Sequence, residues 1–211
     1  MIRRLSISFA LCAFAFTAAE AGSLPVPTVE YSADRVIETE KGTFGGRVYA
    51  ALDKERIEMS MQGMETVTIL RRDRGIAWML MPAQRMYQEL DFAQAAEQSG
   101  AQPSDEIDIT EVGAETIEGQ SATKYKMLMK DGSGGGFIWI TADGIPVKMD
   151  LLGKSGRDKT RMTVTLKNLV TGPQDASLFE LPDGYSGMPS FKAFGAPAGG
   201  LRDAGRRLLG R

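Results

Sequence analysis

The stretch "RGIAWMLMPAQRMYQEL", Arg74 to Leu90, decides how this chain folds. Its six residues Ile76 to Met81 form an uninterrupted apolar run, entered from the charged turn "RRDRG" and closed by Pro82. A run that short between breakers reads as a β-strand, and "RMYQEL" reads as the strand that answers it. Alternate side chains of a strand point to opposite faces, so this one is apolar on both sides. Two readings stay open: a central strand packed on each face, or a wall between the protein's own core and a cavity for an apolar guest, with methionine supplying the second side.

Working outward, the same period of two recurs. Val29, Tyr31, Ala33 and Ile37 alternate with Glu30, Ser32, Asp34 and Glu38; Val48, Ala50 and Leu52 follow a Gly-rich break. In "RIEMSMQ", Ile57, Met59 and Met61 oppose Arg56, Glu58, Ser60 and Gln62, the pattern of a strand with one dry and one wet face. "TVTIL" precedes the opening stretch. Beyond it, "DFAQAAEQS" changes to helical spacing, with Asp91 as cap and the helix running over Phe92 to Gln98. Strand character resumes in "IDITEVGAETIEGQSATKYKMLMK" and continues through "FIWIT", "PVKMDLL" and "RMTVTLKNL". Glycine, 24 of 211 residues, exceeds the usual ~7% and marks the turns. The expected class is mainly β (α+β): a curved antiparallel sheet of about ten strands forming an open half-barrel, with one or two short covering helices.

The N-terminus, "MIRRLSISFALCAFAFTAAEA", has Arg3 and Arg4, a short apolar region and the small-residue pattern Ala19-Glu20-Ala21, which reads as a cleaved secretory signal over residues 1–21. The single cysteine, Cys12, leaves with it. The expected layout is then an extended lead-in over 22–28, one domain over 29–185 and a flexible basic tail over 186–211, in a periplasmic protein. The whole chain has 25 basic and 27 acidic residues. Removing Arg3, Arg4 and Glu20 leaves 23 against 26, a net charge near −3. No basic stripe of the kind that binds nucleic acid is present in the body of the chain.

Histidine is absent, and with Cys12 gone so is the thiolate, which removes the commonest general base, nucleophile and transition-metal ligands. No cofactor is implied, and the chain reads as a non-enzyme. Asp105, Glu106 and Asp108 lack calcium-loop spacing and read as a solvated acidic loop. "GSGGG" is followed by a β-forming segment instead of a helix and reads as a hairpin turn. Ser121 and Lys124, three apart in a strand, point to opposite faces.

Methionine is the informative residue. Of twelve, Met59, Met61, Met127, Met129, Met149 and Met162 fall on the apolar side of alternating strands. Thioether side chains adapt to variable shapes, so such a face suits a lipid or another apolar ligand as well as it suits a core. The residues singled out as ligand lining are Met59, Met61, Trp78, Met127, Met129, Trp139 and Met149. In the tail, four Arg with Leu201, Leu208 and Leu209 offer a transient contact with a membrane surface or an acidic partner.

Taken in order, "RIE" at Arg56 to Glu58, Gly113 and Gly119 ahead of a Tyr-bearing strand, "Trp-x-x-x-x-Gly-Ile-Pro" from Trp139, and "Leu-Phe-x-x-Pro-x-Gly-Tyr" from Leu178 form a series that resembles the LolA-like envelope proteins. These include periplasmic lipoprotein carriers, LolB-type receptors and the lipid-sensing half of RseB. The likeness spans roughly Val29 to Tyr185 and is greatest to the uncharacterised exported members. It implies an open half-barrel with an apolar inner surface for acyl chains, or an envelope protein-interaction module. The long amphipathic helix with which the carriers begin has no counterpart in "GSLPVPTV".

Overall fold

The computed structural model describes residues 24–61, 63–94, 107–155 and 158–188. The expected signal peptide, residues 95–98 of the expected helix, Asp105, Glu106 and the tail from 189 onward lie outside the described residues; residues 92–94 are helical.

The alternating segments become β1 (Tyr31–Thr39), β2 (Gly42–Ala51), β3 (Lys54–Met61), β4 (Met64–Arg71), β5 (Ile76–Met81), β6 (Met86–Asp91), β7 (Ile107–Ile117), β8 (Gln120–Met129), β9 (Gly134–Thr141), β10 (Pro146–Ser155), β11 (Asp158–Thr171) and β12 (Ser186–Gly187). They form one sheet in the order β12-β6-β5-β4-β3-β2-β1-β11-β10-β9-β8-β7. The first six strands are one antiparallel meander and β7 to β11 a second, and the pairing of β1 with β11 joins them. The sheet does not close on itself, as expected of a half-barrel, and β7 and β12 are its edges.

Twelve strands replace the expected ten for two local reasons. Residues 107–129, read as one stretch of strand character, are a hairpin: Glu118 and Gly119 both adopt positive φ (47° and 79°), the geometry of a tight two-residue turn. The twelfth strand is the two-residue β12, which runs parallel to β6.

Two packed clusters divide the interior. In β2, Val48 and Ala50 join one cluster with Tyr31, Ala33, Leu166, Ile145 and Val147, while the alternating Tyr49 and Ala51 pack toward another made of Val67, Ile69, Trp78, Leu80 and Phe179. The first reaches the β9–β10 turn, where the lead-in is also fastened: Thr28 N–H donates to Asp143 O at 2.9 Å. The second is roofed by a 3-10 turn, Ala176–Phe179, whose N-cap Asp175 accepts from Ser177 N–H. The opening stretch thus has two different sides. Trp78 and Leu80 are buried beneath Phe179, whereas Met79 on the other side is 53% exposed.

At Gly136 the chain leaves no room for a side chain. Its φ is +155°, and a methyl group there would run into Asp150 O and Leu151 Cα of the neighbouring strand. Gly136→Ala is therefore expected to cost about 1–3 kcal/mol, lowering the melting temperature by roughly 2–12 °C. Gly153→Ala in the adjoining strand, where nothing lies within 4 Å, provides the control and leaves the thermal transition in place.

Candidate functional site

Strand register assembles the methionines. Across β7 to β11, Ile109, Met127, Gly136, Leu151 and Met162 lie side by side in one row. The next row is Glu111, Tyr125, Ile138, Met149 and Val164. Met129, opposite Ile107, extends the same face. Met127, Met149, Met162, Leu151 and Tyr125 are half-buried and Met129 is exposed. Among the described residues no methionine belongs to either packed cluster. This face is largely apolar: Ile138 and Val164 within it are buried, and the methionines around them are partly exposed.

The seven residues singled out from sequence divide accordingly. Met127, Met129 and Met149 come together. Met59 faces the same way, through the register Met59–Gly46–Arg35–Leu166, but four strands from Met149, or about 19 Å at ~4.8 Å per strand. Met61 ends β3, and its side chain lies outside the described set. Trp139 alternates with Ile138 and so points to the opposite side of β9 from Met127 and Met149. Trp78 belongs to the cluster under Phe179. The period of two, which puts neighbours in sequence on opposite faces, keeps both tryptophans off the methionine surface.

Each tryptophan is held by charge. Trp139 Nε1–H donates to Glu115 Oε2 at 2.8 Å, while Lys124 and Lys148 sit over its ring, 4.8 and 5.0 Å from the centroid. Lys124 also pairs with Glu115 at 2.9 Å. Those two hydrogen bonds, Lys124's first, hold the Glu115 carboxyl below the usual range. Trp78 Nε1–H donates to Glu89 at 2.9 Å. Such arrangements fix the rings in place. Among the described residues no group of three or more His, Cys, Asp or Glu is placed to hold a metal ion, and no helix is long and apolar enough to cross a membrane.

Sequence reading missed the fastening of the roof. Arg71, taken as part of a charged turn, is the last residue of β4 and only 3% exposed, third in the buried row Val67, Ile69, Arg71. Its guanidinium donates to both oxygens of Asp73, at 2.8 and 2.6 Å, to Glu180 at 2.6 Å and to Phe179 O at 3.2 Å. Arg56 donates in the same way to Leu178 O, at 3.2 Å, and to Glu58, at 2.7 Å. Two arginines thus hold consecutive carbonyls of the segment that caps the second cluster. An arginine two residues beyond Ile69 on the buried face was the available signal. Beside this clamp lies a groove of about 420 Å³, edged by Arg47, Arg56, Glu58, Met59, Leu80 and Tyr185.

A model of DUF4412, a domain of unknown function, matches residues 36–143. The chain belongs to that family. Among solved structures, an uncharacterised conserved protein from Thermus thermophilus is similar over 76% of this chain and 90% of its own, at 14% identity and a TM-score of 0.54. The Pseudomonas aeruginosa MucA/MucB complex matches at 18% identity and 0.51, over 72% of this chain and 56% of that one. MucB alone gives 15% and 0.50. The match covers 58% of that MucB chain, so this protein spans little more than half its length. No curated protein matches by sequence. The likeness is one of fold, and the fold is LolA-like, as the motif series implied.

The clamp carries a pH signature. Asp73 is lowered from 3.8 to about 2, first by its hydrogen bond to Arg71. A depressed carboxyl stabilises the fold fully above its unfolded pKa and loses that contribution as pH falls through the folded value. Asp73→Asn is expected to be less stable than wild type at pH 7 and to approach it between about pH 4 and 2, with a slope of stability against pH shallower by up to one proton. Urea titrations across that range measure it.

Proposed function

We propose that the protein is a non-catalytic binding module of the cell envelope, acting in the periplasm, whose methionine face on β7 to β11 holds a lipid or another apolar ligand. The observation that carries this reading is the placement of Met127, Met129, Met149 and Met162 with Tyr125 and Leu151 on one partly exposed face outside both packed clusters. A face left for water alone gains nothing from so much apolar surface, and flexible thioethers accommodate chains of varying shape. Histidine, the commonest general base, is absent throughout.

Magnitudes bound the affinity. Burying ten methylenes fully is worth on the order of 8 kcal/mol, which sets micromolar binding as a ceiling before association costs. A chain lying on a partly exposed face is not fully buried, which lowers the affinity further. Exchange is then fast, as a carrier or a sensor requires.

A second reading has its own support: the similar P. aeruginosa structure is a MucA/MucB complex, and an open apolar face suits a protein partner in the envelope as well.

Protein purified gently from the periplasm and examined by native mass spectrometry is expected to carry lipid, and a fluorescent acyl probe is expected to bind at micromolar concentrations or weaker. Met127→Ser combined with Met149→Ser lowers probe affinity about tenfold with the fold retained. A clean mass with no probe binding by the wild type rejects the ligand reading and leaves the partner reading.

A further inference from the structure

The other face of the same strands has a different composition. Reading inward from the hairpin ends, its first row is Asp108, Leu128, Gly135, Leu152 and Arg161. The second is Thr110, Lys126, Phe137, Asp150 and Thr163. Gly113, Lys124, Trp139, Lys148 and Thr165 form the third. Leu128 and Leu152 are 44% and 38% exposed and flank Gly135, where a methyl group would come within 2.7 Å of Met127 O and 2.9 Å of Leu128 Cδ2. The bare glycine lets the two leucines share one low platform.

We infer that this end of the sheet, where β8, β9 and β10 meet, is a contact surface for an anionic lipid bilayer, with Leu128 and Leu152 entering the interface and Lys126 reaching headgroup phosphates.

Two observations favour a bilayer over a protein partner. First, the end is apolar on both sides: Leu128 and Leu152 on one, Met127, Met129 and Leu151 on the other. A partner surface covers one side of a sheet, whereas a lipid interface surrounds an edge and wets both. Second, charge behind the platform is complementary to phosphate. Lys124, Lys126, Lys148 and Arg161 stand on this face against Asp108, Asp150 and Glu115, in a chain whose overall charge is −2. Glu115 is taken up by Lys124 and Trp139, and Asp150 by Arg161 in a two-point pair at 2.9 and 2.6 Å. Lys148 rests over the Trp139 ring; Lys126 makes no ion pair among the described residues, and a long lysine stem lies readily along apolar surface with its ammonium group at headgroup level.

This inference shares Met127, Met129 and Leu151 with the ligand reading above but is tested apart from it, because Leu128 and Leu152 point away from the methionine face. Flotation with vesicles of phosphatidylcholine alone and with about one-third phosphatidylglycerol is the test. Binding to the anionic vesicles is expected, weakened by high salt, at least tenfold weaker for Leu128→Ser with Leu152→Ser, and weaker for Lys126→Glu. Val170→Ser, an exposed residue elsewhere on the sheet, floats like wild type. Acyl-probe affinity of the leucine variant stays unchanged, which separates this result from failure of the ligand site. Wild type that stays with the aqueous phase, or a leucine variant that floats equally well, overturns the inference. So does sedimentation showing a wild-type dimer that the leucine variant abolishes, since the platform is then a contact between two copies.

Discussion

Antiparallel pairing of β1 with β11 is the constraint on which the rest of the molecule depends. Each meander is local, built from hairpins whose partners are adjacent in sequence. Only the ladder from Tyr31↔Thr171 to Thr39↔Met162 turns them into one sheet, and it links residues more than 120 positions apart. Closing so long a loop costs entropy before any contact rewards it, so the ladder needs support. Asn168, at φ 51° within the bulge of β11, donates to Asp34 at 2.7 Å, and Arg47 reaches the same carboxylate at 2.8 Å. Both bonds, Asn168's first, hold the Asp34 carboxyl below its usual range. The join thus carries a polar lock as well as a backbone ladder.

From that join the two halves take different roles. The first meander buries its second cluster under Phe179 and ties the roof down with Arg56 and Arg71. Beyond the join, the second meander leaves one face rich in methionine and the other dressed in lysine and tryptophan. The half that is roofed supplies rigidity. The half that is not leaves apolar side chains partly exposed.

Much of this was legible in the chain because a period of two survives in almost every strand. The half-barrel, its openness and the apolar character of Met127, Met129 and Met149 follow from alternation alone. What alternation within a strand does not supply is the register between strands, and there the reading of Trp78 and Trp139 as ligand lining departs from the fold. In "KYKMLM" the lysines alternate with Tyr125 and Met127, and in "FIWIT" the aromatics alternate with Ile138; pairing Lys124 with Trp139 puts tryptophan with lysine and methionine with isoleucine. Arg71 was hidden for another reason. A buried guanidinium is recognised by the carbonyl and carboxylates it meets, and two of its partners come from residues 179 and 180, over a hundred positions away.

The edge strand β7 bears on solubility. Eleven residues long and outermost in the sheet, it exposes a row of backbone donors and acceptors that another chain would find easy to extend. Its irregularity between Glu111 and Gly113, with the carboxylates of Asp108, Glu111 and Glu115 along it, spoils that template by bending the ladder and bringing like charges together in any stacked copy. In a protein with apolar side chains on its terminal hairpins, both features work against extension of the sheet by backbone pairing with a second copy.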